Sequence, residues 1–151
     1  MAIPFLRLGL LNKEACLWVV SRSVGVLEAV HAFQREFNLK PFIENGQLVI
    51  LPAERWYLSR GRFSGSRTLE KMRKFIEEKI RSGFTGFRGV GDTGWLETQH
   101  WFEFQEYEQK THQLIRSLKV TAVCAYPIQH CSMTQTQDIL TSHDGVFLAR
   151  L

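Results

Sequence analysis

Six consecutive apolar residues, Ala15-Cys16-Leu17-Trp18-Val19-Val20, stand between the charged Glu14 and the polar Ser21-Arg22. A run this short, with no polar alternation, is the pattern of a strand buried on both faces, and it predicts a central strand. From Val24 to Phe37 the pattern changes: Leu27, Val30, Phe33 and Phe37 recur at helical spacing, with Asn38 as a stop. Asn45-Gly46 is a turn signal, and Gln47 to Leu51 is a second short apolar run closed by Pro52.

The stretch from Trp56 to Gly65, rich in Arg, Ser and Gly, reads as a loop with Ser66 as the cap of the helix that follows. Between Arg67 and Ser82 the apolar Leu69, Met72, Ile76 and Ile80 share one face, Glu70, Lys71, Lys74, Glu77 and Lys79 point elsewhere, and Gly83 ends the pattern. Gly86 to Asp92 is a glycine-broken strand. A long helical pattern from Thr98 to Leu118 carries Phe104, Tyr107, Thr111, Leu114, Ile115 and Leu118 along one side. Val120 to Tyr126 reads as another strand buried on both faces, closed by Pro127. Gln129 to Gln137 reads as a loop, Asp138 to Ser142 as a short helix and Val146 to Leu151 as a last strand. Strands alternating with helices imply right-handed crossovers. The expected fold is α/β, a three-layer αβα domain spanning residues 1–151 with a mainly parallel central sheet.

Composition narrows the function classes. The chain is 44% hydrophobic and 23% charged, ordinary for a soluble protein, and its net charge of +4 comes from scattered residues with no basic run. Direct nucleic-acid binding is therefore not expected. Three cysteines make an odd count that suits a reducing compartment, no stretch is long and apolar enough to span a membrane, and Met1 to Leu11 lacks the features of a signal peptide. These features point to the cytoplasm and away from a membrane.

In an open parallel sheet, ligands bind beyond the carboxyl ends of the strands. The turn Ser21-Arg22-Ser23-Val24-Gly25-Val26-Leu27 occupies the place of a phosphate-binding loop, and Gly25 can stand for its second glycine. Val26 replaces the lysine and Leu27 the hydroxyl that phosphate and magnesium chemistry need. Asp92 either stands where such folds hold a metal or caps the turn Gly91-Asp92-Thr93-Gly94, and Trp95 is a core anchor or a pocket wall. Cys124, Tyr126, His130, Cys131 and His143 invite a metal or haem reading, but their spacing matches no zinc motif. No metal and no cofactor is assigned. Glu103, Glu106 and Glu108 read as a solvated acidic face of the long helix, with Glu106 near Lys110.

The pieces Pro4-Phe5-Leu6-Arg7-Leu8-Gly9-Leu10, Glu14 to Val19, Gly83-Phe84-Thr85-Gly86-Phe87-Arg88, Gly91-Asp92-Thr93-Gly94-Trp95, Tyr107-Glu108 and Val123-Cys124-Ala125-Tyr126, ending near His143, occur in one order. In that order the chain resembles the methanogen/methylotroph DcmR-type sensory domain, MEDS, from about Phe5 to Leu151. The resemblance implies a RecA/KaiC-like P-loop fold with a degraded nucleotide site, and sensing of small organic molecules such as hydrocarbon derivatives. Such domains are often fused to a DNA-binding helix-turn-helix or to signalling modules; no such output domain is expected within these 151 residues. The family's opening strand and helix, which carry a His, have no counterpart ahead of Pro4-Phe5, so part of a ligand site is expected to be missing.

The resemblance implies a pocket of Arg88, Asp92, Trp95, Tyr126 and His143, with Trp95 and Tyr126 as walls and Arg88, Asp92 and His143 orienting a ligand. The expected function is non-catalytic sensing of a small organic ligand, in partnership with a signalling or transcription-regulator protein or a second copy of the chain. The alternatives are a RecA/KaiC-like nucleotide-binding ATPase and a protein-interaction module.

Overall fold

The structure, a computed structural model, describes residues 1–147. Four strands, β1 (Ala15–Val20), β2 (Leu48–Pro52), β5 (Phe87–Asp92) and β6 (Val120–Ala125), form a wholly parallel sheet in the order β2-β1-β5-β6. The first strand is central, as its unbroken apolar run predicts. Side chains alternate along a strand, so Ala15, Leu17 and Val19 enter one core while Cys16 and Trp18 enter the other.

On one face lie α1 (Ala2–Leu11), α2 (Val26–Gln34) and the short α3 (Lys40–Glu44), enclosing Leu6, Leu10, Cys16, Phe33, Leu39, Leu48 and Val90. On the other lie α4 (Ala53–Tyr57), α5 (Gly65–Arg81) and α6 (Trp101–Arg116), around Leu17, Trp56, Tyr57, Met72, Ile76, Phe87, Phe104 and Tyr107. Each large apolar side chain taken wholly out of water here contributes about 1.5–3 kcal/mol before entropy is counted. The helix α7 (Met133–Ser142) packs beside α6 and buries Ile139.

The helix α1 has no counterpart among the elements expected from the sequence. Leu6 and Leu10 are buried on one of its faces, with Gly9 where the helix comes closest to the sheet. A Cβ on Gly9 would stand 2.8 Å from Cys16 Sγ and 2.9 Å from Arg88 Cδ, so a larger residue would lift the helix off.

Five further expectations need correction. The Trp56 to Gly65 segment is not a loop throughout: α4 runs into a two-stranded hairpin, β3 (Leu58–Ser59) and β4 (Arg62–Phe63). Arg60 (φ 53°) and Gly61 (φ 75°) make its two-residue turn, and positive φ at both positions matches the twist of the paired strands. The cap of α5 is not Ser66: the helix begins at Gly65, whose N–H donates to Glu103 Oε1 of α6 at 2.9 Å. The strand β6 is not buried on both faces, because it forms an edge of the described sheet and leaves Thr121 and Ala122 exposed. The segment expected to be a loop up to Gln137 is helical from Met133, where Ser132 and Gln135 form a reciprocal capping box. Val146 and Phe147 lie in no strand, and residues 148–151 of the expected last strand fall outside the described residues.

Candidate functional site at the carboxyl ends of β5 and β6

Strand order reverses between β1 and β5, which puts the crevice of this sheet at Ser21 and at the Asp92–Trp95 turn. The turn is tightly pinned. Asp92 Oδ1 accepts from the Gly94 N–H at 2.8 Å, and Thr93 donates to the Ala125 carbonyl from both its N–H (3.0 Å) and its hydroxyl (2.9 Å). Trp95 is thereby aimed back over the sheet.

The Trp95 ring stacks on Tyr57 with centroids 4.7 Å apart and an interplanar angle of 23°. Phe63, brought in by the hairpin, lies 5.1 Å from Trp95, and Phe104 of α6 lies 5.8 Å from it. Phe104 also meets Tyr126 edge-on at 6.5 Å. A glycine of β5 makes room for this block: a Cβ on Gly91 would stand 2.5 Å from the Tyr57 hydroxyl. The indole N–H of Trp95 is buried and has no hydrogen-bond partner among the described residues.

Beside the aromatic block sits a buried carboxylate. Glu108, 7% exposed, accepts at Oε2 from the Tyr126 hydroxyl at 2.9 Å and lies 3.0 Å from His143 Nε2. Its Oε1 takes the Cys124 thiol at 3.7 Å. His143 Nδ1 stands 2.8 Å from the Ile139 carbonyl, which fixes the ring's orientation at the end of α7. The Glu108 hydrogen bond raises the His143 pKa above its ordinary value despite an opposing effect of burial. Burial, reinforced by Glu108, holds the Cys124 thiol and Tyr126 phenol well above their usual ranges, so both stay protonated. Carboxylate, thiol and imidazole donor atoms of Glu108, Cys124 and His143 all lie within 4.8 Å of one another.

The five residues of the expected pocket are therefore divided. Trp95 belongs to the aromatic block, and Tyr126 and His143 meet on Glu108. Asp92 caps its own turn through Gly94. Arg88 faces the opposite layer, paired in register with Cys16, where it binds Glu14 at 2.6 Å, reaches the Phe5 carbonyl at 3.3 Å and covers the Phe5 ring. It ties α1 to the sheet.

The residue that joins the cluster from outside the expected pocket is Glu108, which is buried and is not part of the solvated acidic face expected of it; Glu106 is exposed as expected. Its signal was present, because Glu108 is four residues after Phe104 and three before Thr111, on the side of the helix that the apolar pattern assigns to the core. Tyr57, the last residue of α4, and Phe63, on the hairpin, both fall in the Trp56 to Gly65 stretch whose composition reads as a loop, so nothing in the sequence marks them as pocket residues.

At the turn after β1, Gly25 (φ 73°) precedes α2, and its N–H donates to the Ser21 carbonyl at 2.9 Å. Val26 and Leu27 follow as the first residues of α2, Leu27 is 75% exposed, and Arg22 is engaged with Glu54 at 3.0 Å. No described helix is long and apolar enough to cross a membrane.

No curated protein and no solved structure matches the chain. A family model described as MEDS, the MEthanogen/methylotroph, DcmR Sensory domain, matches residues 1–144, which takes in α1, the whole sheet, the aromatic block and His143. With nearly its full length covered, the chain belongs to the MEDS family of sensory domains.

Proposed function

We propose that this domain senses a small, largely apolar organic molecule that carries one hydrogen-bond acceptor, and that it does so without catalysis. The observation that supports this most is the Trp95 indole N–H, buried among Tyr57, Phe63 and Phe104 with no partner among the described residues. A buried donor left without an acceptor costs about 1–3 kcal/mol, and a ligand acceptor would recover that. Polarizable rings on its other sides favour apolar contact. The block is packed, so a ligand enters by displacing the Trp95 ring from Tyr57, and that displacement, passed through the Asp92–Trp95 turn, is the signal offered to a partner protein. Two open depressions elsewhere, about 590 Å³ over Trp56 on α5 and about 360 Å³ between α6 and α7, fit this role less well. A molecule of a few carbons would stay largely hydrated in either.

The non-catalytic reading of a degraded P-loop-like site rests on Val26 and Leu27 at the β1–α2 turn, which leave no cation or alcohol in place for a magnesium nucleotide. Calorimetric titration with Mg-ATP should show no binding at millimolar concentration. The sensory reading is tested by a thermal-shift panel of short organic molecules, halomethanes included, on wild type and Trp95→Ala. At least one compound should stabilise the wild type and lose most of that effect in the variant; equal responses in both proteins, or none across the panel, would refute it.

A further inference from the structure

We infer that Glu108, Cys124 and His143 form a binding site for one borderline-soft divalent cation of the zinc(II) class, whether or not the aromatic block takes an organic ligand. Three elements converge on it: α6 supplies Glu108, β6 supplies Cys124 and the end of α7 supplies His143. The donor set is thiol, imidazole and carboxylate, the combination that suits zinc and excludes the hard cations that take oxygen alone. Zinc bonds of roughly 2.0–2.3 Å require donors about 3–4 Å apart. Glu108 meets that already, at 3.0 Å from His143 Nε2 and 3.7 Å from Cys124 Sγ, and no pair among the three exceeds 4.8 Å.

The surroundings are those of a ligand imidazole. His143 Nδ1 lies 2.8 Å from the Ile139 carbonyl and 3.0 Å from Ser142 Oγ. The carbonyl can only accept, so Nδ1 carries the hydrogen and the neutral ring turns its Nε2 lone pair toward Glu108 Oε2. Two lone-pair donors 3.0 Å apart need a cation between them, either a proton on the imidazole or a metal ion. The thiol favours the metal. On binding, the Cys124 S–H bond breaks, its proton leaves to solvent and the thiolate joins the ion. The ion's two positive charges are then balanced by one thiolate and one carboxylate, with a neutral imidazole as third ligand. A neutral assembly is what a buried site tolerates. The Tyr126 hydroxyl, 2.9 Å from Glu108 Oε2, orients the carboxylate from outside.

Cobalt(II), a spectroscopic stand-in for zinc, tests this on the full chain after stripping with a chelator. One equivalent should produce the intense visible bands of a tetrahedral site and a thiolate-to-cobalt charge-transfer band in the near ultraviolet, and zinc should abolish both by displacement. Cys124→Ser should remove the charge-transfer band, and His143→Gln should weaken cobalt binding at least about 10-fold. Cys131→Ser should change neither. His143 sits at the end of α7, so circular dichroism of that variant should remain native, and it decides the matter if Cys124→Ser fails to fold. A chain that takes up no stoichiometric cobalt, or whose charge-transfer band survives Cys124→Ser, or whose affinity is unchanged in His143→Gln, would overturn the assignment.

Discussion

The hydroxyl of Tyr57 occupies the space that a side chain on Gly91 would fill: a Cβ there would stand 2.5 Å from the oxygen and 3.8 Å from the ring carbon that bears it. The strand thus leaves a notch for a buried phenol, and the phenol in turn supports Trp95 at 4.7 Å. A glycine in a strand interior weakens the strand, and here the notch offsets that by letting the aromatic block sit against the sheet.

Gly91→Ala should therefore lower stability by about 1–3 kcal/mol through overpacking. Tyr57→Phe removes the clashing oxygen, so the double variant should recover most of the loss, a coupling that urea denaturation of the four proteins would measure. Strict additivity would mean that the two residues do not share that space.

Tyr126→Phe deletes the hydrogen bond to a carboxylate at 2.9 Å without changing ring packing. The expected cost is about 1.5–3 kcal/mol, as for other hydrogen bonds to charged groups, with the circular dichroism spectrum unchanged. A change below measurement error in chemical denaturation would show that Glu108 does not need that donor.

Arg88→Met should destabilise the domain, by about 1–3 kcal/mol, because it strands Glu14 in a half-buried position and uncovers Phe5. It should leave the response to organic ligands intact, since Arg88 lies on the far face of the sheet. A ligand response lost together with unaltered stability would instead put Arg88 in the pocket.

The thiol of Cys16, pushed up to about 12 chiefly by burial and then by Glu14, is protonated in the folded chain at any ordinary pH. Thiol reagents at pH 8 should leave it untouched until the protein unfolds. Its folded pKa lies above the unfolded value, so the unfolded chain loses this proton first. This stabilising contribution is complete below about pH 9 and shrinks by about 1.4 kcal/mol per pH unit as pH rises toward 12. Denaturation midpoints across that window in wild type and Cys16→Ala would measure the difference, and identical pH profiles would contradict it.

Much of this architecture is legible in periodicity. The unbroken run Ala15–Val20 declares a central strand, and the face of α5 follows from Met72 and Ile76. Alternation along β5 puts Arg88 and Gly91 on opposite faces, but only the register, which pairs Arg88 with Cys16 and Gly91 with Cys124, separates Arg88 from Cys124, and that register is not written in the sequence. What periodicity does not disclose is cross-chain capping. Glu103 caps α5 from another helix, and Glu108 is buried because Tyr126, Cys124 and His143 come to it from distant parts of the chain. Acidic residues close in sequence look like a solvated face until their partners are placed. The hairpin was hidden by its length: strands of two residues carry no alternation to detect, and Arg60-Gly61 is the only local trace of it.

The central claim is that Trp95 is the surface a ligand meets, and fluorine NMR of the chain labelled with 5-fluorotryptophan tests it most directly. The four tryptophans, Trp18, Trp56, Trp95 and Trp101, give four resonances, and Trp95→Phe assigns the one in question. Titration with a short organic molecule that stabilises the protein should move the Trp95 resonance first and furthest, in a saturable way. Saturable movement confined to Trp18 or Trp56, with Trp95 unmoved, would contradict the account.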